Sequence, residues 1–384
     1  VKVSLLCVGD VMAHSTNYKA AYNSATGEYD FTDNYELVKD YIEGADIACC
    51  NVETTFAGTE PCGYPLFCAP DSLATALADA GFDIGITSNN HMADKGFDGI
   101  QRTITVLREN GMYTTGSKLE NEAVSYTLLG SKGVKVGFVA YTYETTGPNS
   151  TGVSINGNDI DERTASVINS FNYNQLETED YAKIQADIDA VKADGAQIVV
   201  VYLHWGEEYQ QTPNYNQTAI AQNVAEMGAD IIFASHPHVL QSAAVLSASD
   251  GRQVPVFYSM GNFISNQRTE TLNNRFTEQG MMAMVEVEII PSTGEMISKS
   301  VKAIPTWVDR YPDSSAYRIV PLDENLDSQP VFNETGHLSR AQQALSDVNS
   351  LLGEWINGFS FPAKIVSETG AGSASADEGL ADAA

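Results

Sequence analysis

The sequence predicts an α/β fold, a sandwich of two sheets with helices on the outside. Three observations lead there. Short apolar runs of strand length alternate with amphipathic helical runs through two stretches of the chain. A later stretch, from about residue 239 to 304, has strands and turns with no long helix between them. Five of the six histidines, His14, His91, His204, His236 and His238, lie in short polar clusters at the ends of apolar runs, where a sheet would hold functional loops.

The elements follow in order. Val3–Val8 is an apolar strand. The segment from Asn34 to Glu43 reads as a helix with Leu37, Val38, Tyr41 and Ile42 on one face. The residues from Asp46 to Cys50 form a second strand. Asp71 caps a helix whose apolar face is Leu73, Ala74, Leu77 and Ala78, and Gly81 stops it. A third strand covers Asp83 to Thr87. A helix follows from about Phe97 to Glu109, with Gly111 closing it. Val124 to Leu129 and Val134 to Tyr141 pair through the Gly130-Ser131-Lys132-Gly133 turn. From about 144 to 177 the chain is rich in Asn, Ser, Thr and Gly and reads as an insertion or long loop. A helix from Glu179, a strand from Gln197 to Leu203, a helix from Ile220 and a strand from Asp230 to Ala234 come next.

Strands are then expected from Val239 to Leu246, Val254 to Tyr258, Met281 to Ile290 and Met296 to Ile304, with a hairpin turn at Pro291-Ser292-Thr293-Gly294. The helical signal returns from Leu338 to Ile356. We therefore expect one domain over 1–310, a C-terminal extension over 311–366 with a packed helix, and a small, acidic tail over 367–384 that composition marks as disordered.

The polar clusters carry the chemistry. They read Gly9-Asp10-Val11-Met12-Ala13-His14, Asn51-Val52-Glu53, Ser88-Asn89-Asn90-His91, Leu203-His204-Trp205-Gly206 and Ser235-His236-Pro237-His238. Imidazole and carboxylate are the usual ligands of Zn, Mn and Fe. One such cluster is often only a satisfied core histidine. Five at equivalent strand ends can converge, since ligands in such folds bind beyond the carboxyl ends of strands. The set suffices for two divalent ions. Glu53 is the candidate bridge, Asp10 a second anionic ligand, and Asn90, His204, His236 and His238 neutral ones. Two dications against two carboxylates leave positive charge suited to an anionic substrate.

Charge and cysteine content bound the partners. Twenty-one basic residues against 50 acidic give a formal net charge of −29, which argues against nucleic acid and anionic membrane as general partners. Of five cysteines, Cys7, Cys49 and Cys50 lie in apolar runs and read as buried thiols. Cys62 and Cys68 flank a short loop; they read either as free thiols or as a disulfide, which would imply an oxidising compartment. The chain opens at Val1 inside a strand-like run, so a signal or anchor is expected to precede it.

This order of motifs resembles the calcineurin-like metallophosphoesterases: an Asp and His after the first strand, an acid after the second, Asn90-His91 after the third, then His204, then His236-Pro237-His238. More closely, the chain is similar to the bacterial poly-γ-glutamate capsule biosynthesis family of the CapA type. The motifs are Gly9-Asp10, Asn51-Val52-Glu53, Asn89-Asn90-His91-x-x-Asp94-x-Gly96, His204-Trp205-Gly206-x-Glu208-Tyr209, His236-Pro237-His238-Val239-Leu240-Gln241 and Tyr258-Ser259-Met260-Gly261-Asn262-Phe263, spanning roughly Val3 to Phe263. The resemblance implies a four-layer α-β-β-α sandwich of two mixed sheets, a dinuclear metal site and His91 as general acid. It also implies work at the outer face of the cell membrane or in secreted form. Two departures stand out. Three residues rather than one separate Asp10 from His14, which weakens a ligand role for His14. No Arg follows Glu53, which weakens the transfer of phosphatase activity.

The remaining residues have two readings each. Asp94 orients His91 or caps a helix. Trp205 and Tyr209 line the pocket or pack; Asn51, Asn89 and Glu208 fall in the pocket set. Asn262 joins that set or ends a strand turn, and the turn is the plainer reading. Three functions remain open: a dinuclear metal hydrolase acting on a phosphoester or other anion, a non-catalytic component of a membrane-bound capsule polymer synthesis and export complex, and cleavage or transfer at a γ-glutamyl amide. The complete ligand set favours an enzyme, while the net charge is awkward for binding a polyanionic capsule polymer.

Overall fold

The structure, a computed structural model, describes residues 1–147, 152–173, 178–311 and 316–365. The expected acidic tail over 367–384 lies outside the described residues, as do 148–151 and 174–177 of the expected insertion.

The first sheet grows around β1 (Lys2–Val11), with β2 (Ile47–Val52), β3 (Ile84–Ile86) and β4 (Tyr113–Thr115) alongside in parallel. Between these strands run α1 (Ser72–Asp79) and α2 (Gly96–Glu109). The second sheet takes β5 (Thr127–Ser131), β6 (Val134–Tyr143), β7 (Ser170–Phe171), β8 (Ile198–His204), β9 (Ile231–Ser235), β10 (Ala243–Ser247) and β11 (Gln253–Phe257) in the order 7-6-8-9-11-10, with β5 also paired to β6. Its helices are α3 (Thr178–Ala193) and α4 (Tyr215–Met227). The chain then returns to the first sheet. β12 (Asn262–Ile264) pairs with β1 in parallel; β13 (Gln279–Ile290), β14 (Glu295–Arg310) and β15 (Tyr317–Pro321) extend the antiparallel side. Helix α5 (Leu338–Leu352) follows, and β16 (Phe359–Pro362) pairs with β14.

Side-chain alternation builds four layers. On β1, Val3, Leu5 and Cys7 face the second sheet and meet Val136, Phe138, Val200 and Phe233. Leu6 and Val8 face the other way, against Leu73, Leu77 and Leu107 of α1 and α2. On β8, Val199, Val201 and Leu203 pack under Ile184, Ile188, Ile220 and Val224 of α3 and α4. Both faces of these strands are buried, hence their continuous apolar character. Among the described residues no helix is long and apolar enough to cross a membrane.

Several expectations need correction. The helix read from Asn34 to Glu43 is a 3-10 turn, Thr32–Asn34, and a short helix, Lys39–Glu43. Tyr35, Val38 and Ile42 serve the cluster under the first sheet while Leu37 joins another near α5, and one helical face cannot reach both. The strand expected from Val239 starts only at Ala243, because His238 turns the chain with φ 57°. The late helix breaks at Gly353, φ 53°, so Trp355 sits on a separate turn, Glu354–Asn357. The described part of the 144–177 segment contains a small hairpin of Val153–Ile155 and Asn158–Ile160, the helix Glu162–Ala165 and β7. Asp71 makes no side-chain cap bond; it pairs with Arg102 at 2.7 Å. Cys62 and Cys68 face each other across a two-way backbone bridge, 3.0 and 2.8 Å, but both thiols are free.

Lys299 of β14 ties the sheets together. It is 1% exposed, and its Nζ donates to the Asp230 and Gln253 carbonyls at the start of β9 and β11, each at 2.8 Å. Burial holds its pKa down to about 8, below the ordinary 10.5. A neutral amine still has two N–H donors, enough for two carbonyls. Lys299→Ala should lower stability by about 2–4 kcal/mol, from two stranded carbonyls and a cavity. The sign of the pH effect follows. The folded form releases the proton first, so the wild type gains stability as pH rises from about 8 to 10.5. Denaturant unfolding at pH 7.5 and pH 10, chosen to bracket that titration, should show this gain in the wild type and not in the variant.

Candidate metal centre

The candidate side chains gather where the carboxyl ends of both sheets meet. Gly9 makes the first placement possible. A Cβ there would lie 1.9 Å from the Gly261 carbonyl oxygen, so only glycine lets the strands approach. The register of β1 against β2 shifts at this point, and Asp10 comes level with both Asn51 and Asn262. Across the gap, β8 ends at His204 and β9 at Ser235, paired in register. The chain then turns through His236 at φ 106° and His238 at φ 57°. Two histidines in conformations that L side chains rarely adopt imply strain retained for a purpose.

Two groups of donor atoms overlap. Asp10, Glu53 and His204 offer ligand atoms within 4.8 Å of one another, and so do Glu53, His236 and His238. Glu53 belongs to both. His204 Nε2 is 2.8 Å from Asn90 Oδ1 and 3.7 Å from Glu53 Oε1. His238 Nε2 is 3.8 Å from the same Glu53 oxygen, while its Nδ1 meets Asp10 Oδ2 at 3.0 Å and Asn262 Oδ1 at 3.2 Å. All these side chains are buried.

The residues fit a cation. Glu53 Oε1 and His236 Nδ1 are buried atoms without a hydrogen-bond partner among the described residues, a costly state unless something else meets them. Burial, reinforced by Asp10, pushes the Glu53 carboxyl well up. Burial pushes His236 well down and His204 down to about 3, leaving the neutral imidazoles that ligate metals. Asp10 is buried too, yet its bond to His238 and the nearby imidazoles hold it below the usual carboxylate range.

His91 lies beside this group. Its Nδ1 is 2.8 Å from Asp94 Oδ2, and the same oxygen accepts the Phe67 backbone N–H at 2.6 Å. Asp94 therefore orients His91 and does not cap a helix; Lys95 occupies the cap position of α2. Asn89 is a brace. It donates to Asn51 Oδ1 and the Val52 carbonyl and accepts the His91 N–H. Asn51 donates to Asp10 Oδ1 at 2.8 Å and Glu53 Oε2 at 3.1 Å, which fixes the two carboxylates relative to each other.

The other candidates divide. Asn262 is no mere turn residue: besides His238 it donates to Gln267 and the Thr277 carbonyl. Tyr209, at φ 65°, brings its ring 6.3 Å from that of His238. Glu208 is exposed, and its charge acts on Glu53 and Tyr209. Trp205 belongs to the core. It is fully buried, stacks on Tyr258 and donates to the Tyr258 carbonyl at 2.9 Å. His14 stands outside both donor groups, accepting the Asn266 N–H at 3.2 Å, with its ring against Phe67.

Two site residues escaped the sequence reading. Tyr143 places its ring 4.6 Å from His236; its position at the end of β6, level with the other motif strands, was the available signal. Phe67 lies edge-on between His14 and His91, at 5.1 and 4.6 Å. Nothing in its loop sequence marked it.

Comparisons with known proteins show the family. Residues 4–267 match the family model described as bacterial capsule synthesis protein PGA_cap. The chain is 29% identical over 274 residues to the capsule biosynthesis protein CapA of Bacillus anthracis, covering 69% of this chain and 60% of that protein. It is 29% identical over 195 residues to the PGA biosynthesis protein CapA of Bacillus subtilis, covering 50% and 44%. The matched region thus spans about half the length of these relatives. Among solved structures, a phosphatase of Mycoplasma pneumoniae aligns with TM-score 0.43 and 13% identity over 87% of this chain and 99% of that one. A 5′-nucleotidase described as putative, from Staphylococcus aureus, aligns with TM-score 0.45 and 12% identity over 90% and 58%.

Proposed function

The chain belongs to the bacterial capsule synthesis protein family, and from that premise we propose that it is a metal-dependent hydrolase of capsule polymer biosynthesis, acting on a phosphoester or related anion. One observation carries the reading: two buried donor groups share Glu53, and Glu53 Oε1 and His236 Nδ1 within them lack hydrogen-bond partners among the described residues.

Asp10, Glu53 and His204, with Asn90 against His204, would hold one divalent ion; Glu53, His236 and His238 would hold a second. Mn, Zn and Fe all suit this mixture of imidazole, carboxylate and amide oxygen. Such ions supply Lewis acidity and a nucleophile at neutral pH. The protein's own part is positioning and proton transfer. Asn51 keeps the two carboxylates in fixed relation, and Asn262 with Asp10 fixes the His238 ring. His91, held through Nδ1 by Asp94, keeps its other nitrogen for a proton, which it gives to the leaving oxygen as the ester bond breaks. The names of the relatives support a place at the cell envelope; a membrane-bound capsule synthesis complex as the partner is part of the proposal.

Metal loading tests this. Protein stripped by chelator should take up Mn or Zn and then hydrolyse phosphomonoesters or phosphodiesters. Protein that takes up neither ion, or that loads fully and stays inert on phosphoesters and γ-glutamyl amides, would overturn the proposal.

A further inference from the structure

His14 is the one motif histidine with no part in the chemistry so far described. β1 ends at Val11, and the Met12 N–H bonds the Ile264 carbonyl at 2.9 Å. The longer spacing from Asp10 then carries the His14 ring past both donor groups to the loop after β12. There Nδ1 accepts the Asn266 backbone N–H at 3.2 Å. A backbone N–H can only donate, so Nδ1 carries no proton, and the neutral ring holds its one proton on Nε2.

That Nε2–H is free. It has no hydrogen-bond partner among the described residues, and it is not among the buried atoms in that state, so it opens on solvent. The surroundings are those of the metal centre. Phe67 meets the His14 ring edge-on at 5.1 Å and the His91 ring at 4.6 Å. Burial, then the nearness of His238 and His91, pushes the His14 pKa down to about 3. The ring is also held firmly. Tyr317 Oη donates to Asn266 Oδ1 at 2.5 Å. The loop from Cys62 to Cys68 presses on the next residue, since a Cβ on Gly63 would lie 2.5 Å from the Ser15 nitrogen. Packing on Phe67 needs only an apolar ring, and accepting from Asn266 needs only a lone pair. Neither accounts for a fixed N–H left free beside the metal centre.

We propose that His14 is a substrate-binding residue whose Nε2–H donates to a phosphoryl oxygen of the anionic substrate, on the Phe67 side of the metal centre. This rests on the hydrolase reading above and names the protein group that holds the anion while His91 serves the leaving oxygen. His14 gives a hydrogen bond and no proton, which separates it from the general acid, and it stands outside the ligand groups. The bond is made to bound substrate and transition state alike, so it bears on KM more than on kcat.

Phosphomonoester kinetics and calorimetric titration with inorganic phosphate, both on the metal-loaded full chain, test this. Asparagine puts its amide near the Nδ1 position and keeps the acceptor; glutamine puts its amide near Nε2 and keeps the donor. His14→Phe and His14→Asn should retain wild-type metal content and weaken phosphate binding about 10–100-fold, as for a hydrogen bond to a charged group. KM should rise alike, with kcat little changed, and His14→Gln should recover most of the loss. If His14→Phe fails to fold, the Asn and Gln variants carry the comparison. Metal lost from the His14 variants would make His14 a ligand and overturn the proposal. Phosphate affinity unchanged in His14→Asn, or His14→Gln no better than His14→Asn, would overturn it too, as would loaded wild type that binds no phosphate up to about 10 mM. Loaded wild type that binds phosphate through His14 yet hydrolyses no ester would sink the hydrolase reading and leave this inference standing. Wild type that takes up no metal would sink both.

Discussion

Glu53→Gln should empty at least one ion site and abolish hydrolysis, and neither Mn nor Zn should restore it. The side chain keeps its shape and its bond from Asn51, so the fold should survive. What is lost is charge. Glu53 alone belongs to both donor groups. With an amide there, Asp10 is the one carboxylate left in either group. Two dications about 4 Å apart repel by roughly 15–20 kcal/mol at an effective dielectric of about 20, and histidines supply no counter-charge. Elemental analysis, hydrolysis and capsule polymer yield in cells should fall together. Normal polymer yield from a metal-free variant would sink the hydrolase reading and favour the assembly role.

Much of this site is legible in the sequence because each motif sits at the end of a strand with apolar flanks. The strand periodicity locates Asp10, Glu53, Asn90, His204, His236 and His238, and parallel pairing brings their ends level. Where a segment serves two environments, the pattern fails. Tyr35 and Leu37 answer to different clusters, so a helical period was read where the chain makes turns. Trp205 follows a motif histidine in sequence but points into the helical layer, because successive residues at a strand end face opposite sides. Phe67 was invisible for a different reason. Its place between His14 and His91 depends on a bond to Asp94, a contact 27 residues away that no local pattern encodes.

His91→Asn should keep the metals and lose turnover by about 10²–10⁴-fold, the usual contribution of a general acid. The geometry separates this residue from the ligands. It is absent from both donor groups, and its Nδ1 is committed to Asp94 at 2.8 Å. The ring is pinned edge-on by Phe67 at 4.6 Å, so the free nitrogen has a set direction. Asparagine can fill the space but cannot deliver a proton. The loss should therefore depend on the leaving group. An alkyl phosphoester, whose leaving oxygen is strongly basic, should suffer the full effect; a nitrophenyl ester, which departs as a stable anion, should suffer little. Asp94→Asn should move the same way by a smaller factor, since it leaves the imidazole in place but loosens it. Equal losses on both ester types would point to a misfolded pocket, and unchanged turnover on the alkyl ester would remove His91 from the mechanism.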